Sequence, residues 1–503
     1  MAMSSLVQLC DSSTSLALAS GCILVAIFLF LRNRAPKLNF PVVGDPAATD
    51  CRDALEEGTR LYPDTPWLLP LQDPMVILPA WAAAEIKSLP ENQASLNKEL
   101  YIRFLGRYTM MGQDDDEMVA VIKHDLTRSL PDVVDGLIDE ARYAIQANLG
   151  KCTGWTPSSV FEKMARIVTM INGRAFVGLP LSRDDDWINS TIAYTSEGEI
   201  VASSLRPFPA LIRPLVAPFL PAVRNLRKNQ ALVAARTRPL INAHFSAAAT
   251  PGDEKQDLSR SGRLLTWLLG RYKHQPSPSE ITRDYLLSCT ASIPIPAGLL
   301  THLLYELASR PEYLQPLRDE LAAAMETTKR FDFTFLSRLD KMDSFIRETQ
   351  RLNSHGLVMM TRRTTSAIKL SDGSVIPKGV SIGVSNHTLN RSPEHYPQPD
   401  EFQGFRFYEL RQRSEENARK YQFASTSLEN LNWGYGTHAC PGRYFASALV
   451  KLVLALVLSN YDVELSEGKK PENMVFGVMV IPNPFAQLQF KSRTPLPGLE
   501  LQE

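Results

Sequence analysis

Near the C-terminus the chain reads "NWGYGTHACPGRYFASALVKLVLAL", and no other stretch limits the possible folds as much. Gly434, Gly436 and Gly442 surround Cys440, and an apolar helix is expected from about Arg443. Glycine lets a backbone approach a flat cofactor closely. Free N–H groups at a helix start lower a thiol pKa and hold the sulfur as an anion. The arrangement suits a thiolate ligand. A lone cysteine ahead of a helix is also a common small core residue, so the rest of the chain must decide.

With 503 residues and a 44% hydrophobic share, the chain has material for a large core in one domain or two. Its 54 basic and 54 acidic residues cancel, so no basic excess points to nucleic acid. The 6 cysteines (10, 22, 51, 152, 289 and 440) include no CxxC pair, which argues against a disulfide framework or a zinc site. A reduced, cytosol-facing domain fits, and the Asn-x-Ser/Thr triplets at Asn189, Asn386 and Asn390 then read as chance matches.

Residues 1–31 contain "LALASGCILVAIFLFL", an uncharged stretch that with Thr14 and Ser15 reaches the roughly 18 residues needed to cross a bilayer. "RNRAPK" follows directly, which keeps the bulk of the chain on the cytosolic side. A cleaved signal peptide is the alternative, but it usually carries positive charge ahead of the apolar run. Residues 32–46 read as a basic, Pro-rich hinge and 47–503 as the catalytic domain. Helical periodicity dominates from about Asp116 to Arg351. "HFSAAATPGDEKQD", His244 to Asp257, reads as a loop. Asp372-Gly373 and Pro377-Lys378-Gly379 read as turns between short β-branched runs, and "FGVMVIPNPFAQLQFK" as another hairpin. The expectation is a mainly α fold with a small β portion, preceded by one N-terminal transmembrane helix.

The pattern Trp433-x-x-Gly436-x-x-x-Cys440-x-Gly442 resembles the haem-binding signature of the cytochrome P450 family, with Trp433 where Phe is usual. "RETQR" supplies Glu348 and Arg351, and "FQGFRF" supplies Arg406, in the family's order and spacing. The resemblance covers nearly the whole chain. "NGRAFVGLPLSRDDDWI" and "RPEYLQPLRDEL" look like fungal members that tailor small secondary metabolites, including terpenoids. It implies the P450 fold, haem b with Cys440 as axial ligand of the iron, and His438 near a haem propionate. It implies a buried charge network of Glu348, Arg351 and Arg406. Lys123, with His124, falls roughly where the family places a basic propionate partner. No G-x-G-x-x-G dinucleotide motif follows a strand, so electrons would come from NADPH through a separate NADPH-cytochrome P450 reductase. Such a protein is expected in the endoplasmic reticulum membrane, single-pass, with a cytosolic catalytic domain and a small hydrophobic substrate.

One stretch departs from that pattern. Where the family's distal helix carries an acid or its substitute and then a threonine, this chain has Ala291-Ser292-Ile293-Pro294-Ile295-Pro296. Pro294 and Ile295 replace the proton-relay pair, and Thr290, Ser292 and Thr301 are the nearest hydroxyls. Positioned acid–base groups contribute about 10²–10⁴-fold in rate. The prolines also free carbonyls and kink the helix. A monooxygenase of a hydrophobic, terpenoid- or polyketide-like molecule is one reading. A haem enzyme that cyclises, isomerises or dehydrates without oxygen is another, and a non-catalytic binding protein a third. Substrate specificity is expected around residues 100–112, 196–221 and 357–361. "SSLRPFPALIRPLVAPFLPAV" reads either as a bilayer-dipping segment or as a Pro-broken core segment.

Overall fold

The computed structural model describes residues 38–113, 116–248 and 263–502. The anchor at residues 16–31 lies outside them, as does much of the loop expected at 244–257. The first part of that expected loop, His244 to Ala248, is instead the end of a helix that starts at Pro221, and Ala247-Ala248 is good helix-forming sequence.

Eight helices frame the site: α1 (Leu130–Leu149), α2 (Val160–Phe176), α3 (Asp185–Leu205), α4 (Pro221–Ala248), α5 (Pro278–Ser292), α6 (Pro294–Ser309), α7 (Asp340–Leu352) and α8 (Arg443–Asn460). Helix α8 buries every residue from Ala448 to Asn460, and α6 every residue from Pro296 to Leu307. An all-round apolar helix must lie in a core rather than on a surface. Both are long and apolar enough to resemble membrane spans, α6 when counted together with α5, but most of each is buried within the protein. Phe176, at the end of α2, joins these layers. Its ring lies 6.1 Å from Phe445 on α8, stacked, and 6.5 Å from Tyr285 on α5, edge-on.

The β portion is small, as the sequence suggests. Strands β1 (Trp67–Leu69), β2 (Met75–Leu78), β3 (Ala94–Ser95), β5 (Val358–Thr364) and β8 (Ser381–Ser385) form a five-stranded sheet in the order β1-β2-β8-β5-β3. β4 (Thr156–Ser159), β12 (Gln487–Ser492) and β9 (Tyr461–Leu465) form a second sheet. The Asp372-Gly373 turn joins β6 (Ile368–Lys369) to β7 (Val375–Ile376), with Gly373 at φ +88°. The C-terminal hairpin differs from expectation. β10 (Met474–Phe476) pairs with β11 (Met479–Ile481) through Gly477 at φ +60°, whereas β12 turns away to pair with β4 and β9. Asn483 and Pro484 break the run between them, and a broken strand is free to change sheets. The described part of the hinge lies against β1, where the Val43 N–H donates to the Leu68 carbonyl at 3.1 Å.

The prolines of "PIP" sit where they cost least. The expected single helix is two, α5 and α6, separated at Ile293. Pro294 is the first residue of α6, a position whose N–H lacks a helical partner in any case. Pro296 cannot donate to the Ser292 carbonyl, four residues back. The Asn172 side-chain amide on α2 donates to that carbonyl instead, at 2.8 Å.

Candidate active site around Cys440

The cysteine loop is shaped from both ends. Gly434 and Gly436 take φ of +68° and +80°, a region L side chains avoid. A Cβ on Gly436 would lie 2.2 Å from the Lys87 carbonyl oxygen, and Thr437 N–H donates to that same carbonyl at 3.0 Å. The need for glycine at 436 therefore comes from the chain's own backbone. Gly442 has ordinary φ and caps α8. A Cβ there would lie 3.6 Å from Ile122, which brings the turn carrying Lys123 against the loop. Lys123 and His124 themselves are exposed.

The Cys440 sulfur receives the N–H groups of Gly442 and Arg443, as expected of a helix start. Burial outweighs them, and the thiol pKa lies above its ordinary value rather than below it. The sequence-based expectation of a lowered pKa is corrected on that point. Holding a thiolate here requires a cation at the sulfur, and a metal supplies one.

His438 turns towards the segment before β3. Its Nε2 lies 3.3 Å from the Leu89 carbonyl oxygen and its Nδ1 3.6 Å from Glu91 Oε1. Arg362 on β5 is the residue the sequence reading missed. It is 5% exposed, donates to the Thr361 carbonyl at 2.7 Å, and has no carboxylate in ion-pair contact among the described residues. Burial pushes its pKa down to about 10, with Glu91 acting electrostatically in the opposite sense. Its neighbour Arg363 is paired with both Asp73 and Glu99. A buried cation without an anion is costly. It fits a cofactor that brings its own carboxylates, as haem b does.

The charge network is closed and almost fully buried. Glu348 Oε2 accepts from Arg351 Nε and Oε1 from Arg351 Nη2, each at 2.8 Å; Oε1 also accepts from Arg406 Nε at 3.2 Å and the Gln403 N–H at 2.9 Å. The spare guanidinium donors go to the carbonyls of Asn390, Pro397, Pro399 and Glu401, among others. Asn390 continues the link to the cysteine loop, since its side chain and that of Asn432 each donate to the other, at 3.2 and 3.3 Å.

The chain belongs to the cytochrome P450 family. The profile described as "Cytochrome P450" matches residues 131–490. The chain is 38% identical to the cytochrome P450 monooxygenase ataF of Aspergillus terreus, over 93% of this chain and 94% of that one. It is 38% identical to the monooxygenase gliF of Aspergillus fumigatus, over 91% and 92%, and 34% identical to ascG of Acremonium egyptiacum, over 96% and 97%. Among solved structures, retinoic acid-bound cyanobacterial CYP120A1 shares the fold, with a TM-score of 0.67 at 15% identity, covering 90% of this chain and 99% of that one. The protein is a haem-thiolate monooxygenase of the fungal secondary-metabolism type. It uses haem b, takes electrons from a redox partner and acts on a hydrophobic substrate.

Proposed function

We propose that the Cys440 thiolate would hold the iron of haem b and that the enzyme oxygenates a small secondary metabolite, terpenoid or polyketide-like. The observation that supports this most directly is the Cys440 sulfur facing the N–H groups of Gly442 and Arg443 in a loop held by buried charge. Haem b on such a ligand supplies dioxygen activation. The residues around it would bind and orient it. Arg362 and His438 would meet the propionates from the side of residues 87–91, and Lys123 would add charge at the rim. Glu348, Arg351 and Arg406 would keep the cysteine loop in register.

Residues 1–31 would anchor the chain in the endoplasmic reticulum membrane. The catalytic domain, residues 47–503, would then share the cytosolic face with NADPH-cytochrome P450 reductase. The segment between α3 and α4 supports the membrane reading. Leu211, Ile212, Leu215 and Phe219 are 51, 44, 71 and 76% exposed, which no core segment would be.

Incubation with reductase and NADPH under ¹⁸O₂ tests the reaction. Label in the product is the expected result. Product formed under nitrogen without NADPH would replace oxygenation with a non-redox cyclisation, isomerisation or dehydration. Replacing Cys440 with Ala should abolish the thiolate-type spectrum of the reduced, CO-bound protein.

A further inference from the structure

Oxygenation consumes RH, O₂, two electrons and two protons, and yields ROH and water. The electrons come from NADPH through the reductase. The protons need a path, and Pro294 and Ile295 cannot provide one. Of the three nearby hydroxyls, two are spent on their own helix: Thr290 Oγ1 donates to the Leu286 carbonyl at 2.9 Å and Thr301 Oγ1 to the Ala297 carbonyl at 2.8 Å. Ser292 Oγ is buried with no partner.

Asn172 is in the same condition. It is 1% exposed, its Nδ2 holds the Ser292 carbonyl, and its Oδ1 is buried with no partner. Two orphaned polar atoms thus belong to the two residues joined by one hydrogen bond, at the point where the distal helix is broken. Buried polar groups left unpaired by protein are commonly satisfied by an internal water. On either side of Ser292, Ala291 and Ile295 are exposed, whereas Ile293 and Pro296 are buried. The orphaned pair therefore lies close in sequence to exposed positions on either side of the break.

We propose that Asn172 Oδ1 and Ser292 Oγ hold a water at the helix break, and that this water and the Ser292 hydroxyl pass protons to the reaction in place of the missing acid–alcohol pair. Asn172 is a positioning residue: it fixes the Ser292 carbonyl and accepts from the water. Ser292 Oγ gives up its proton and recovers one from the water behind it, and neither residue is oxidised or reduced. When the relay fails, the same two electrons and two protons leave with O₂ as hydrogen peroxide. The inference rests on the monooxygenase reading above.

The test uses the full-length, haem-loaded protein with reductase and NADPH, without added substrate. It compares the parent with Ser292→Ala, which keeps the backbone bond to Asn172. Peroxide released per NADPH should rise at least about twofold in the variant, and the solvent deuterium effect on oxygen consumption should change, while the melting temperature stays within about 1 °C. An unchanged peroxide share would overturn the relay. A crystal structure gives a second readout: a water within hydrogen-bond distance of both atoms supports the proposal, and its absence overturns it. Absence of ¹⁸O label from the product of the incubation under ¹⁸O₂ would fail the monooxygenase reading itself, an outcome distinct from both.

Discussion

The backbone N–H of Cys440 donates to the carbonyl of Trp433 at 2.7 Å, closing the loop that presents the sulfur. Trp433 is itself fixed, with its indole N–H on the Phe423 carbonyl at 2.8 Å and its ring 5.2 Å from that of Phe423. Asn432, one residue back, is paired with Asn390, whose carbonyl accepts from Arg351. A continuous set of bonds therefore runs from the Glu348 carboxylate to the sulfur's loop.

Breaking that set at its centre should be expensive. Glu348→Gln leaves two buried guanidiniums without a carboxylate, a loss of about 3–5 kcal/mol by analogy with other buried pairs. Thermal melting and haem absorbance per mole of protein should fall together. A variant with unchanged melting would show that the network does not hold the loop.

Arg362 separates cofactor binding from folding. Replacing it with Met removes a buried, unpaired cation, so the haem-free protein should melt no lower than the parent. Haem retention should drop by about 10–100-fold, the value of one or two charge-assisted hydrogen bonds. Transfer of haem to apomyoglobin measures the rate. Retention equal to the parent's would remove Arg362 from the propionate site.

The Pro296 substitution tests the repair of the helix. In Pro296→Ala a peptide N–H returns within reach of the Ser292 carbonyl and competes with Asn172. Asn172→Leu should cost about 1–3 kcal/mol in the parent, where it strands that carbonyl, and clearly less in the Pro296→Ala background. Chemical denaturation of the four proteins of this double-mutant cycle gives the coupling directly, and a coupling of zero would contradict the bond's role.

Glu320 gives a pH signature. Burial raises its pKa to about 7, despite N–H donors from Lys341 at 2.6 Å and Met342 at 2.9 Å. Its folded pKa exceeds the unfolded value, so the folded state holds the extra proton. That contribution to stability is full below the unfolded pKa near 4.5 and is lost as pH rises through 7. The melting temperature of the parent should therefore fall as pH rises from about 4.5 to about 7 and level off above that, and this fall should shrink in Glu320→Gln.

Much of this was legible in the sequence because it depended on local spacing. Glu348 and Arg351 lie three apart on one helix, and Gly436 and Cys440 share one loop. What escaped was held together across the chain. Nothing near Arg362 in "TRRTTS" says which of two adjacent arginines lacks an acid, because Asp73 and Glu99 reach Arg363 from hundreds of residues away. Asn172 meets Ser292 over a separation of 120 residues. The thiol pKa went the other way for a related reason: the N–H donors are local, but burial is a property of the whole fold.

The bond from Asn172 to Ser292 changes what selection can reach. A helix's own hydrogen bonds are made by the peptide backbone and survive nearly any side-chain replacement. Here one of them has been handed to a side chain on another helix, so a single codon can now delete, weaken or restore it. The backbone at this break has thereby become heritable residue by residue, and α2, far from Ser292 in sequence, has gained a vote on how α5 meets α6.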